Sequence, residues 1–275
     1  MGTRENEHRN QQRPRLWPHV AFWLVVVALA AGFEMLVRER VVSPAAYAAP
    51  TETIRRLVTL FTQDGFAADV WITARRALLS VLIGFPLGVG LAIGLYTLGR
   101  ARGSGEMALD FIRSAPITAL IPLLIALTGI GELSKVSIGA FSAMLVTAIT
   151  VWVGIKHGLR RFSLLMHLYR PTFGKRVSLV ILPYTLPSML AALKLAVSSA
   201  LVLVVVAEMF LGSRGGIGKV INDRTYGDDR AAQFAAVAAA GLLGYFLNVV
   251  FDGVQRVVLH TLGEPGGGAA GPASV

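Results

Sequence analysis

Cysteine is absent from the 275 residues, which excludes disulfide cross-links, thiol chemistry and Cys-ligated metal centres. Charge is scarce as well: Asp, Glu, Lys and Arg make up 15% of the chain, against about 25% in an ordinary soluble domain. The five histidines are scattered, and no HExxH helix, GxSxG elbow or Walker A loop occurs. The nearest approach to a phosphate loop lies in GSRGGIGKVIND, Gly212 to Asp223. There Ser213 takes the place of the first glycine, and Lys219 is followed by Val220 instead of Ser or Thr. No catalytic residue, cofactor-binding residue or metal ligand is therefore assigned, and the chain does not read as an enzyme.

What the sequence has instead is oil. Hydrophobic residues make up 54% of the chain, and the mean hydropathy is +0.62. A bilayer-spanning helix needs about 20 mostly apolar residues. Six stretches approach that length: Val20–Val37, Ala77–Leu98, Ala115–Ile130, Val136–Ile155, Tyr184–Leu211 and Ala231–Phe251. The third is short and is expected to extend back through Phe111 and Ile112. These runs predict an all-α integral membrane protein with about six transmembrane helices. A basic tail at 1–16 precedes a membrane domain at 17–260, and a Gly/Ala/Pro-rich flexible tail follows at 261–275. The first run is read as an uncleaved anchor despite the AYA at Ala46–Ala48, because Glu34, Arg38, Glu39 and Arg40 stand between it and that site.

Positive charge in short loops sets orientation. Arg4, Arg9, Arg13 and Arg15 in the tail, Arg100 and Arg102 in a turn, and six Lys and Arg residues between Lys156 and Arg176 mark one side. Basic residues on the opposite side are interleaved with Glu39, Glu52, Asp223, Asp228 and Asp229. The expectation is a multi-pass plasma-membrane protein with both termini cytosolic. Loop charge accounts for much of the net +10, and without an aromatic-basic platform or a zinc pattern no nucleic-acid partner is expected.

Between the spans, Ile54, Leu57, Val58 and Phe61 recur at helical spacing after Pro50 and Thr51, predicting a short amphipathic surface helix. Gly84 and Gly88, and again Gly90 and Gly94, have the GxxxG spacing that allows close helix approach in lipid. Pro86, Pro116 and Pro122 are expected to bend their spans. Arg113, near the end of the third span, reads as a snorkelling anchor. Lys194 and Glu208 fall within the fifth span, where unpaired charge is costly. They are 14 residues apart, about 21 Å along a helix, so each needs its own partner or a polar route. Both are candidates for the pathway or gate, with a structural, hydrogen-bonded role the alternative for Glu208. The glycines after that span suit a C-cap and reversal.

The loop at about 156–183 contains no acidic residue. Phe162, Leu165, Met166 and Tyr169 have helical spacing, and Pro171 and Gly174 follow. This pattern fits an amphipathic segment on lipid or a projection seated in a groove of a cytosolic partner.

FIRSAPITALIPLLIALTGIGELSK (Phe111–Lys135), ILPYTLPSMLAALKLAVSSALVLVVVAEMF (Ile181–Phe210) and GGIGKVI (Gly215–Ile221) resemble, in order and spacing, the permease subunit of bacterial ABC importers. The group they look most like is the nitrate, sulfonate and taurine type. The resemblance implies a type I importer permease fold, a second permease copy or paralogue, an external substrate-binding protein, and separate ATPase subunits that bring ATP and Mg. It also implies that the basic loop couples to the ATPase through a motif of Glu-Ala-Ala, Gly and Ile-x-Leu-Pro. Its end is present as Leu182 and Pro183, whereas its front half has become Leu164, Leu165, Met166 and Arg170. These six are the candidate coupling residues. The altered front half leaves two alternatives, a non-coupling half of a heterodimer and a membrane scaffold or regulator. A secondary carrier is a further reading, without support from internal repeats.

Overall fold

The computed structural model describes residues 17–43, 46–97, 107, 109–111, 114, 116–161, 168–169, 171–227 and 229–261, and among these it is built from helices without strands. In chain order the elements are α1 (Trp17–Arg38), α2 (Pro50–Thr62), α3 (Phe66–Thr97), a 3-10 turn (Ile117–Leu120) leading into α4 (Ile121–Thr128), and α5 (Glu132–Arg161). After a lead-in from Phe173 come α6 (Leu182–Phe210), α7 (Ile217–Thr225) and α8 (Arg230–Thr261). Five stretches are long and apolar enough to cross a membrane: Val20–Arg38, Phe66–Tyr96, Glu132–Gly158, Gly174–Phe210 and Arg230–Thr261. Five of the six predicted runs fall on them.

The third run differs. Its described apolar part is the shorter segment Ile117–Thr128, about 18 Å long at helical rise and too short for a hydrocarbon core of about 30 Å. Pro116 and Pro122 explain why. Pro116 is the N-cap of the 3-10 turn and Pro122 stands in the first turn of α4, so they start helices instead of bending one. Gly129, at φ 76°, then ends α4. Pro86, by contrast, does lie inside α3, and the helix continues through it.

The boundary of α3 also differs from the sequence expectation. It begins at Phe66, 11 residues before the apolar run at Ala77. Asp69, Arg75 and Arg76 lower the local hydropathy without preventing helical hydrogen bonding, so Asp69, Thr73 and Arg76 lie within the spanning helix.

α5 is the central helix, two thirds of its apolar window being buried, and it packs between α3 and α6. Gly84 and Gly88 make the α3 contact possible: a Cβ on Gly84 would stand 2.3 Å from the Ala140 carbonyl oxygen, and one on Gly88 2.5 Å from that of Met144. The GxxxG neighbour is thus a helix of the same chain. Gly90 and Gly94 face open space. Small residues also let α8 approach, with Ala232, Ala235, Ala236 and Ala239 buried in one cluster with Ala196 and Ala200 of α6.

The ends are fixed by specific polar contacts. Asp229 accepts the Ala232 N–H at 2.9 Å and N-caps α8, while its other oxygen takes Arg56 Nε at 2.8 Å from α2. Glu34 of α1 accepts the Thr51 N–H and hydroxyl at 3.1 and 2.7 Å, satisfying a donor in the first turn of α2. α2 is the expected surface helix with a proline start. Leu60 is buried and Leu57 of the predicted face packs against the same core cluster, while Ile54, Val58 and Phe61 remain 65, 58 and 44% exposed. The predicted apolar face is therefore divided, Leu57 turning into the bundle and Ile54 and Val58 outward.

Candidate functional site

Asp69, Thr73 and Arg76 lie at i, i+4 and i+7 on α3, hence on one face of that helix. This face meets the turn between α6 and α7, whose shape depends on Gly212 and Gly216 at φ 61° and 123°. Gly212 follows the α6 C-cap in the left-handed conformation, the helix ending that a glycine serves without a side-chain penalty. The reversal then presents the backbone N–H groups at the start of α7. Asp69 Oδ1 accepts from Gly216 at 2.7 Å, Thr73 Oγ1 from Ile217 at 2.8 Å, and Glu208 Oε2 from Gly218 at 2.9 Å. Donors that a helix start leaves unsatisfied are thus met by two carboxylates and a hydroxyl, with the sign the helix dipole favours.

Glu208 is the centre of this arrangement. Its side chain is fully buried and Arg76's is 4% exposed. Arg76 Nη1 donates to Glu208 Oε1 at 2.7 Å and to the Gly215 carbonyl at 2.8 Å. The Thr73 hydroxyl donates across the same carboxylate at 2.9–3.0 Å. The other side of the Arg76 guanidinium forks onto Glu132, Nε at 2.7 Å and Nη2 at 2.5 Å, the bidentate geometry for which arginine is suited. Lys135 Nζ lies 3.5 Å from Glu132 and 3.4 Å from the Gly212 carbonyl. One arginine therefore joins α3, α5, α6 and the turn before α7. Close approach is built in here too, since a Cβ on Gly218 would stand 2.2 Å from the Val205 carbonyl oxygen.

At the opposite ends of α5 and α6 a mostly apolar groove of about 620 Å³ runs over the surface of the helix pair, lined in part by Ile149, Val153, Pro187 and Ala191 with Thr150 and His157, while Gly154 and Gly158 hold the two helices close at Ser188 and Tyr184. The ionic cluster lies about 32 Å away, the length of α5 from Glu132 to Val153 at 1.5 Å per residue. The bundle is thus held by charge at one end, and at the other a mostly apolar groove, the cleft beside Tyr184, follows α5 and α6.

The sequence candidates divide between these places. Glu208 and the Gly215–Gly218 turn meet in the cluster. Lys194 does not join them. Its Nζ binds Asp252 Oδ1 of α8 at 2.7 Å, one turn from a Ser198–Asn248 hydrogen bond between the same helices. Leu182 and Pro183 are exposed at the start of α6, beside the cleft. The Leu182 N–H reaches back to the Val177 carbonyl in a π turn over Val177–Ile181, a widening suited to a proline that has no N–H to donate. Leu164, Leu165, Met166, Arg170 and Arg113 lie outside the described residues. Thr73, Arg76, Glu132 and Asp252 were missed by the sequence reading. The i, i+4, i+7 spacing of Asp69, Thr73 and Arg76 was the available signal, hidden because the apolar run was counted only from Ala77.

Five long apolar helices, with a buried ion pair joining α3 to α6, form a multi-pass membrane bundle. Residues 84–262 match the family of binding-protein-dependent transport system inner membrane components, and the chain belongs to that family. It is 28% identical over 216 residues to a protein of Brucella melitensis named as an ABC transporter permease, covering 75% of this chain and 84% of that protein. To a Bacillus subtilis protein named as an aliphatic sulfonates transport permease it is 26% identical, with 87% and 83% covered. To the taurine transport system permease protein of Escherichia coli it is 24% identical, with 82% and 83% covered. Among solved structures it is similar to a chain of the MetNI methionine ABC transporter in inward facing conformations, with a TM-score of 0.61, 19% identity, and 70% of this chain and 95% of that one covered. The fold is that of a type I ABC importer permease, and the chain is an ABC transporter permease subunit of the inner membrane.

Proposed function

We propose that this chain is the membrane-spanning subunit of an ATP-driven importer for a small, anionic solute such as a sulfonate. It would form the pathway with a second permease copy or paralogue and receive solute from an external binding protein. ATP and Mg would be handled by separate ATPase subunits. The solute class follows the relatives named for sulfonates and taurine. The observation that carries the reading is the polarity of the bundle, with the Arg76–Glu208 cluster at one end and the cleft beside Tyr184 at the other.

Loop charge supports an orientation with both termini cytosolic. On the cluster's side, Arg38 pairs with Glu34, Arg56 with Asp64 and Asp229, and Lys219 with Asp223. This offsets basic charge on that face. The loop from Lys156 to Arg176, whose sequence has no acidic residue, then lies in the cytosol, in keeping with the positive-inside rule, and the cluster seals the outer side.

Transport requires the two sides to open in turn. Opening the outer side means separating α3 from α6, so the bond between Arg76 and Glu208 acts as a latch. ATP drives the change only if it binds the two arrangements with different affinity. Its effect reaches the bundle through Leu164, Leu165, Met166 and Arg170, then Leu182 and Pro183 where the loop joins α6. The departure of the first four from the motif of similar permeases favours a second reading, a passive half beside a partner that keeps the motif.

The test uses single cysteines at Leu164 and at Arg170 in this cysteine-free chain, paired with a cysteine in the cleft of the neighbouring ATPase. A crosslink that changes with ATP supports the coupled importer. Its absence in an assembled complex supports the passive half. Uptake driven by an ion gradient without ATPase overturns both.

A further inference from the structure

Arg75 is the neighbour of the latch arginine, yet it points the other way. It is exposed on α3 and makes no hydrogen bond or ion pair among the described residues. α3 has 32 residues, about 48 Å at helical rise, which exceeds a hydrocarbon core of about 30 Å by about 9 Å at each end. Arg75, the tenth residue, lies about 14 Å from the start of α3, within a turn of the headgroup boundary. A side chain of this length reaches that boundary by snorkelling. Trp71, one turn nearer the end and 66% exposed, is the residue type that marks the same level.

Below the pair, the surface opens into a groove between α3 and α8. One part, of about 440 Å³, is lined by Arg75, Leu79, Leu82, Phe85, Leu193 and Phe251, among others. A second, of about 480 Å³, runs on past Phe61, Leu242, Phe246 and Leu247. Trp71 and Leu78 line both. From Arg75 to Pro86 the groove follows α3 for about 16 Å, which suits most of an extended acyl chain. Apart from Arg75, the lining residues are all apolar.

We infer that this groove is a binding site for an anionic glycerophospholipid, with the phosphate on Arg75 against the Trp71 ring and an acyl chain lying along Leu78, Leu82 and Phe85. An unpaired guanidinium at headgroup depth supplies the charge complementarity, since arginine is suited to hydrogen-bonding a phosphate. The lipid would lie on the helix that carries the latch, since Arg76 belongs to the same turn of α3. The proposal does not depend on the solute or on coupling to an ATPase.

The test uses Trp71 itself as the reporter. Trp17, Trp23 and Trp152 are replaced by Phe in the full chain, which is reconstituted in phosphatidylcholine vesicles containing graded amounts of dibrominated phosphatidylglycerol or dibrominated phosphatidylcholine. Quenching of Trp71 is expected to saturate at low mole fraction for the brominated phosphatidylglycerol, with about fivefold preference over phosphatidylcholine. Arg75→Gln abolishes the preference and Arg75→Lys retains most of it, which separates charge recognition from damage to the fold. Equal quenching by both headgroups, or an unchanged preference in Arg75→Gln, overturns the proposal. Shielding of Trp71 from both lipids, together with a crosslink between two copies carrying Leu78→Cys, also overturns it and assigns the groove to a second copy of this chain.

Discussion

Arg76 Nη1 lies 2.7 Å from Glu208 Oε1, joining α3 to α6 across side chains that are 4 and 0% exposed. A buried pair of this kind is costly to break on one side only, because the remaining charge has no water to receive it. Arg76→Met or Glu208→Leu alone is expected to destabilise the chain by about 3–5 kcal/mol, measured as a fall in melting temperature of the purified protein in detergent. The double variant Arg76→Met/Glu208→Leu is expected to recover most of that loss. If Arg76 and Glu208 are a latch, the double variant keeps its stability but leaks solute through the assembled transporter. A double variant as unstable as either single would show that Glu132 and the Gly215 carbonyl need Arg76 as much as Glu208 does.

Two glycine pairs with the same spacing should respond in opposite ways. A Cβ at Gly88 meets the Met144 carbonyl and Thr147 side chain at 2.5 and 2.6 Å, whereas one at Gly94 meets nothing within 4 Å. Gly88→Ala must push α3 away from α5, with an expected cost of about 1–3 kcal/mol from overpacking. Gly94→Ala is expected to be neutral or to stabilise by up to about 1 kcal/mol, through helix propensity. Thermal unfolding of the two variants side by side decides it; equal losses would place Gly94 against a partner subunit.

The apolar runs made the bundle legible because length and hydropathy constrain a span directly. They failed where hydrophobicity and helicity part company. Arg75 and Arg76 made α3 look shorter than it is, and Pro116 and Pro122 looked like kinks when they begin helical segments. Glu208 was visible as a charge in an apolar run, but its partners were not. Thr73 and Arg76 are 135 and 132 residues away in sequence, and no spacing rule joins residues on different helices. The amphipathic pattern of α2 marked the helix, but only Leu57 of its four apolar residues is among those packed on the core cluster. Ile54 and Val58 have the periodicity of an inward face, yet in a membrane protein an apolar stripe is equally at home against lipid.

Lys194 and Asp252 form a second ion pair, 2.7 Å apart between α6 and α8 with side chains 40 and 34% exposed. Lys194 is the thirteenth residue of α6, about 18 Å from its start and so near mid-membrane, where a lone charge is expensive. Lys194→Met or Asp252→Leu alone is expected to reduce the yield of membrane-inserted protein, and the exchanged pair Lys194→Asp/Asp252→Lys to restore it. Inserted yield and uptake, measured together, separate the two roles open to Lys194. Restored yield with restored uptake means the pair only packs the helices; restored yield without uptake means the lysine itself faces the solute.

Asp229 gives the chain an acid-sensitive joint outside the membrane. Burial alone would raise its pKa, but the Ala232 N–H, the Arg56 guanidinium and the nearby charge of Arg224 outweigh it and hold the carboxyl below the ordinary aspartate value. Between the folded and unfolded values the unfolded chain binds more protons at this site, so stability rises with pH there. The contribution is complete above the unfolded value and is lost as pH falls through the folded one. Asp229→Asn keeps a good N-cap for α8 but gives up the ion pair with Arg56, seen at 2.8 Å. The variant is therefore expected to melt lower than the parent at neutral pH and to converge with it in acid, where the parent's carboxylate is protonated. Melting curves from about pH 7 to pH 3 test this directly. A constant difference across the range would mean that Asp229 acts through its cap alone and that its charge contributes nothing to joining α2 to α8.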